Sequence, residues 1–424
     1  MDAEVFANKL LAKLLEAGFE QAAVTIGTDS LDELNINQNQ ASLFRSSEKR
    51  KFTLIGIYQQ RLITETSSVI EQDAIDALIK QMFVDVQTAP PDPANAISSR
   101  QQLKVEKGPQ KPSLAVLTDK TRELIQHRAQ KVPCFNIKEG YVRFKHSVTE
   151  MLTSEGSHLH SSVGSYGVAI FGCAKQGEKN SSSTYNSGEC DDLADKPAQE
   201  RFGLSELMHE AQNQIITQPI GDKFVGEVIL SPSAAADLLD WFLFQLSGHC
   251  LMTGDSVYKD SVGELIASPL LTISSYLEGA GVEPITHDGF PAADIELVSQ
   301  GRLNYLLPDL YSSRKLGIEH LPSGDAWCIA PGETARSEMV GSVKRGAIVN
   351  RLSMGDPAKN GDFSGVIKNS FYIEDGQQKH ALSETMISGN VGKMLKNIVA
   401  VSKEFRDTGS FSSPWLQISG LHFS

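Results

Sequence analysis

A chain of 424 residues, 40% of them hydrophobic and 21% charged, is long enough for two or three domains with separate cores, and it holds no apolar run of the about 18 residues that a bilayer-spanning helix needs. A formal charge of −13 disfavours a direct grip on nucleic acid, which requires a concentrated basic surface, so neither a membrane nor a nucleic acid is an expected partner. Cys134, Cys173, Cys190, Cys250 and Cys328 are odd in number, widely spread and without a CxxC pair, which fits reduced thiols and a cytoplasmic protein better than a disulfide framework.

The N-terminus opens with acids and spaces Phe6, Leu10 and Leu14 along one face, which predicts a folded first helix and not a secretory signal. β-like runs follow at 22–27, 33–38 and 52–58, then a helix over 71–82. The basic cluster at 46–51 beside a strand reads as a solvated edge. The Pro-rich run 88–96 can continue neither element and predicts a linker. A second block repeats the order, with a helix over 118–131, long β-like stretches from Tyr141 and from Ser161, a polar hairpin tip over 177–192, and a helix over 198–216. The predicted fold class is α+β. An N-terminal two-layer α/β-sandwich half contains blocks 1–96 and 97–219, whose matching order is consistent with duplication, and a β-rich half, 220–424, follows.

In that second half GEVIL, ending at Leu230, predicts a strand, and Ser231 with Pro232 supplies a helix start. The stretch 285–317, ITHDGFPAADIELVSQGRLNYLLPDLYSSRKLG, resembles the strand, Gly turn, strand and short helix ending in RKLG of the TldD/PmbA family. Three later segments, GDFSGVIKNSFYIEDGQ from Gly361, ETMISGNVGKMLKNIVAV from Glu384 and SSPWLQISGL from Ser412, resemble the C-terminal signature of the TldD/PmbA family, specifically its PmbA (TldE) branch. In the N-terminal half the resemblance rests on the strand pair around Gly56 and on MLTSEGSHLHSS from Met151. In the TldD branch the helix after a strand like VIL carries HExxxH, whose histidines bind zinc while the Glu acts as general base. Aligned without a gap, Asp240 stands at the first His, Trp241 at the Glu and Gln245 at the second His, and no Cys follows Cys328 to match that branch's C-terminal Cys ligand. The resemblance therefore implies neither metal nor catalytic residue in this chain. It implies instead a zinc-bearing TldD-like partner subunit, processing of peptides or unfolded protein segments by the pair, and a homodimer when the partner is absent. The family's label, modulator of DNA gyrase, implies no DNA binding here.

Other candidates are weaker. His209-Glu210 opens like a zincin helix, but Asn213 and Gln214 stand where a second His is required. His249 and Cys250 are capable ligands, yet adjacent residues rarely converge on one ion, and core packing or a helix-end cap is the better reading. His158 and His160 alternate onto one strand face without an acid or Cys beside them. No nucleophile elbow, phosphate loop or dinucleotide fingerprint occurs, and Gly279 to Gly281 is a turn. GDFSG reads as a turn leading into a strand. In the family this strip lies close to the substrate channel, which makes Asp362, Phe363, Ser364 and Gly365, together with His249, candidate peptide-lining residues in a cavity that would hold an extended chain by main-chain hydrogen bonds. Two rival readings stay open: an autonomous hydrolase built on Asp240, His249 and Asp362, and a non-enzymatic adaptor for a toxin, an antitoxin or a topoisomerase.

Overall fold

The computed structural model describes residues 2–424. Asp2 caps the first helix, α1 (Ala3–Glu16), by accepting from the amides of Glu4 and Val5, and Phe6, Leu10 and Leu14 form its buried face as the spacing predicts. Strands β1 (Gln21–Asn37) and β2 (Gln40–Tyr58) make a long hairpin under it, followed by β3 (Arg61–Ser67) and α2 (Gln72–Asp85). The separate runs expected at 22–27 and 33–38 are one continuous strand. The polar residues between them keep their ladder on both edges, with β2 on one side and a strand of the second block on the other. Gly56 lies under Phe19, where a Cβ would come within 2.4 Å of the ring.

The second block contributes β4 (Gln102–Lys107), α3 (Leu114–Lys131), β5 (Phe135–Thr153), β6 (His158–Gln176), β7 (Lys179–Asn180), β8 (Thr184–Cys190) and α4 (Leu204–Asn213). Both blocks include a helix, a long hairpin, a short strand and a closing helix. The two hairpins join through antiparallel pairing of β1 with β5 into one eight-stranded sheet of order β3-β2-β1-β5-β6-β4, with β7 and β8 also on β6. Two expectations are corrected here. The helix expected over 198–216 forms only from Leu204 to Asn213, because Phe202 and Gly203 both take left-handed backbone, φ 52° and 71°, which breaks the helical ladder. The expected hairpin tip at 177–192 is largely a strand: β8 pairs along β6 from Tyr166 to Gly172, and Thr184 and Asn186 are buried there.

Beyond Phe224 a thirteen-stranded sheet takes over. Its inner strand β9 (Phe224–Leu230) is paired on both edges, parallel to Arg345–Val349 and antiparallel to Phe411–Phe423, which explains the unbroken apolar run VIL. Ser231 then caps α5 (Pro232–Leu246), with Pro232 in the first turn, and a short helix α6 (Gly248–Thr253) follows. Ala234, Leu238, Leu239 and Phe242 of α5 enter the same core as Val228, Leu230 and Ile418 of the sheet. Strands Glu296–Ser299 and Arg302–Leu303 flank a turn at Gly301, and a helix, Leu310–Leu316, ends at Gly317 with φ 67°, matching the pattern expected for 285–317. Among the described residues no helix is long and apolar enough to cross a membrane, and the five cysteines are free thiols.

Candidate functional site

Helical periodicity gathers Asp237, Asp240, Trp241, Phe244 and Gln245 of α5 along one wall of a cleft of about 930 Å³. The facing walls come from Thr184 and Tyr185 of β8, the segment Asn350–Lys359, and Asp255 beyond α6. The three positions singled out by the HExxxH spacing are therefore together, but two of them are committed to structure. Trp241 is buried, meets Tyr258 edge-on at 6.3 Å between ring centroids, and is roofed by Gly361, where a Cβ would sit 3.1 Å from the indole. Gln245 is 2% exposed and its Oε1 accepts from the Val257 amide at 2.9 Å. Only Asp240 stands at the cleft rim, where desolvation pushes its carboxyl up. An amide with its oxygen spent and an indole offer a zinc ion neither the imidazole nor the carboxylate that such a site needs.

One turn upstream, Asp237 is raised to about 6 by burial first and then by the charge of Asp240, with Arg351 acting in the opposite sense. Arg351 stacks over the Tyr185 ring at 5.1 Å and donates to Ser183 O at 3.3 Å. Asp237 belongs to this site and could have been read from the sequence, being three residues before Asp240 on the same helical face. Tyr185 and Arg351 had no local signal. They enter the wall through β8 and through the chain after Val349, both distant in sequence.

His249 and Cys250 part company as their adjacency predicts. Cys250 is buried, and burial followed by the charge of Asp255 raises its thiol, away from the thiolate that would bind metal or attack substrate. His249 is exposed and turns to a second cavity of about 530 Å³ shared with Asp240, His287, Asp288 and Asp309. There burial would lift Asp288, but hydrogen bonds from His320, Thr286 and the Leu310 amide overcome it and hold the carboxyl at about 2. Asp240 and His249 thus share a cavity. Asp362 lies elsewhere, on the strand Asp362–Lys368, hydrogen-bonded to the side chains of Asn360 and Asn390 at 2.8 Å each. That strand alternates: Phe363 and Gly365 turn inward, while Asp362 and Ser364 face out. The structure does not assemble Asp240, His249 and Asp362 into one triad.

Two further expectations meet their geometry. Glu210 is directed at Arg336, 3.7 Å away, inside a cluster that also holds Glu206 and Arg406, while His209 is exposed. His158 and His160 do have an acid beside them, which corrects the sequence reading: Glu150 on β5 receives His158 Nε2 at 2.6 Å and His160 Nδ1 at 2.7 Å. The contact was hidden because it crosses strands.

Residues 225–424 match the model of the PmbA/TldA metallopeptidase C-terminal domain. Among curated proteins, the chain is 30% identical over 195 residues to the metalloprotease PmbA of Escherichia coli O157:H7, covering 41% of this chain and 43% of that one. It is 27% identical over 235 residues to a metalloprotease of Methanothermobacter thermautotrophicus, covering 48% and 51%, and 24% identical over 232 residues to a zinc metalloprotease TldD homolog of Saccharolobus solfataricus, covering 50% and 52%. The chain thus spans about half the length of these curated relatives. Among solved structures, TldE from Thermococcus kodakarensis superposes with a TM-score of 0.86 at 18% identity over 98% of this chain and 99% of that one, and a crystal structure from Bacteroides thetaiotaomicron with 0.88 at 17% over 99% and 98%. At such identities the superpositions establish a common fold.

Proposed function

This chain belongs to the TldD/PmbA metallopeptidase family, and from that premise we propose that it is a PmbA/TldE-like, non-catalytic subunit that pairs with a zinc-bearing TldD-like subunit to cleave peptides or unfolded protein segments. The observation that carries the reading is the state of α5. Trp241 and Gln245, which the gapless alignment sets at the base and ligand positions, are held in the cleft wall by Tyr258 and the Val257 amide, which supports a helix that keeps a structural place without that chemistry. The partner's zinc would supply the activated water; this chain's part is the cleft itself. Its wall of Asp237, Asp240, Tyr185 and Phe244 offers carboxylates and aromatic faces to solvent, which suits holding a chain segment. The two subunits would act in the cytoplasm, with zinc bound on the partner only.

The experiment is a peptidase assay on an unfolded polypeptide. The purified chain alone is expected to give no cleavage, and its mixture with an HExxxH-bearing TldD-type subunit to give cleavage abolished by a chelator. Robust chelator-insensitive cleavage by the chain alone would overturn the proposal and favour an autonomous hydrolase centred on the Asp240 and His249 cavity. Binding of another protein with no gain of peptidase activity from any TldD-type subunit would favour the adaptor.

A further inference from the structure

Away from the cleft, at the seam between α1 and the first sheet, four side chains with metal-binding chemistry meet. Glu150 is 4% exposed, and its two carboxylate oxygens receive His158 Nε2 and His160 Nδ1. The arrangement follows from the strand register: Glu150 of β5 stands opposite His160 of β6, and His158 lies two residues along the same face. Above them α1 begins, its first turn fixed by the Asp2 cap on the Glu4 amide at 2.9 Å. Ligand atoms of Glu4, Glu150 and His158 all fall within 4.8 Å of one another. A buried carboxylate is costly unless a cation or hydrogen bonds compensate it. Among the described residues no Lys or Arg forms an ion pair with Glu150 or Glu4, and His158 and His160 are the sole ion-pair partners of Glu150.

We infer that Glu4, Glu150 and His158 form a site for a divalent transition cation of the zinc class, with His160 as the positioning residue that fixes Glu150. One imidazole nitrogen and two carboxylates are a donor set such an ion accepts, and a ligand oxygen held by a second group is the usual outer arrangement of these sites. Ligands at about 2.0–2.2 Å from one tetrahedral ion stand roughly 3.3–3.6 Å apart, so closure needs side-chain shifts on the order of an ångström. Glu4 is exposed and the His158 side chain is 37% exposed, which gives both the freedom to shift and an ion a path in. On binding, the neutral His158 imidazole presents its Nε2 lone pair: its single ring proton passes by exchange with solvent from Nε2, where Glu150 shares it, to Nδ1, with no net proton released. Binding would clamp α1 to β5 and β6. The competing reading is a closed imidazole-carboxylate triad that needs no ion.

Zinc titrated by calorimetry into the chelator-treated full chain at neutral pH separates the two. The expected result is saturable binding of one ion per chain at this site, weakened at least tenfold by His158→Ala and by Glu4→Gln, and about tenfold by His160→Gln. Cobalt(II) in place of zinc should give a visible absorption band that His160→Gln shifts. Asp240→Ala should leave affinity and stoichiometry unchanged, so the outcome is independent of the reading of α5. Glu150→Gln alters a buried group and is interpreted only with circular dichroism; the exposed Glu4 and part-exposed His158 keep the test decisive if that variant unfolds. Absence of saturable binding, or binding unaltered by both His158→Ala and Glu4→Gln, overturns the inference.

Discussion

Carboxylates in unfavourable surroundings recur along this chain, and Glu210 is the sharpest case. Burial, then repulsion from Glu206, lifts it from an ordinary 4.5 to about 7 against the pull of Arg336 and Arg406. As pH rises from 4.5 toward 7 the unfolded chain gives up this proton first while the folded chain still holds it, so the folded state loses stability through that window and the loss levels off above about 7. The shift sets a ceiling of ~3 kcal/mol, and the 23% exposure left to the side chain brings the expected loss to ~1–2 kcal/mol. Urea unfolding at several pH values should show Glu210→Gln flattening this slope by that amount; an unchanged slope would mean that the carboxyl titrates normally. At this scale the sequence is legible where one helix supplies the residues. Asp240, Trp241 and Gln245 follow from the family resemblance aligned without a gap along one helix, and Asp237 would have followed from the same face. It is silent where strands bring residues together across distance, as with Glu150 between His158 and His160, or Arg351 over Tyr185.

Elements were legible in proportion to how local their causes are. The face of α1, the Ser231 and Pro232 start of α5 and the Gly317 stop are set by a few neighbouring residues, and all three stand where the sequence puts them. The 198–216 segment misleads because its periodicity is helical throughout. Only the left-handed pair Phe202-Gly203 stops it, and Phe202 gives no warning of such a backbone. Strand lengths were underestimated because β1 draws its pairing from both neighbours and needs no alternation of its own in the middle. The start of α5 also makes a prediction. Ser231 Oγ accepts from the Ala234 amide at 3.4 Å and donates to Asn350 O at 3.1 Å, so it caps the helix and ties it to the opposite cleft wall. Ser231→Ala should cost about 1–2 kcal/mol in urea unfolding with an unchanged denaturant slope. A change below about 0.3 kcal/mol would show that Pro232 and packing alone fix the start of α5.

For the whole molecule the decisive feature is a sheet face left without cover. In the second half the strands Asp362–Lys368, Thr385–Asn390 and Phe411–Phe423 lie side by side with β9, and register aligns Ser364 with Ser388, Ser388 with His422, and His422 with Val225. Antiparallel partners share a face, so these four define one row, and Met386 lies in the next. The opposite face of the same strands carries Phe363, Ile387 and Phe423 into the core. The outer face holds Val225 at 58% exposure and Met386 at 45%, apolar side chains that a water-facing sheet normally replaces with polar ones. A non-catalytic subunit, as proposed above, would act through a surface, and a stable interface typically removes on the order of 1,600 Å² from water in total, more than a single cleft rim supplies. This open face is where a TldD-like partner, or a second copy in its absence, is expected to bind. Met386→Glu places a charge on that face with little effect on the core beneath it, and should weaken association at least tenfold while leaving the unfolding midpoint within a degree or two of the parent. Light scattering across a concentration series, with and without the partner, reads the first quantity and thermal unfolding the second. Full assembly by the variant would move the interface to another surface of the chain.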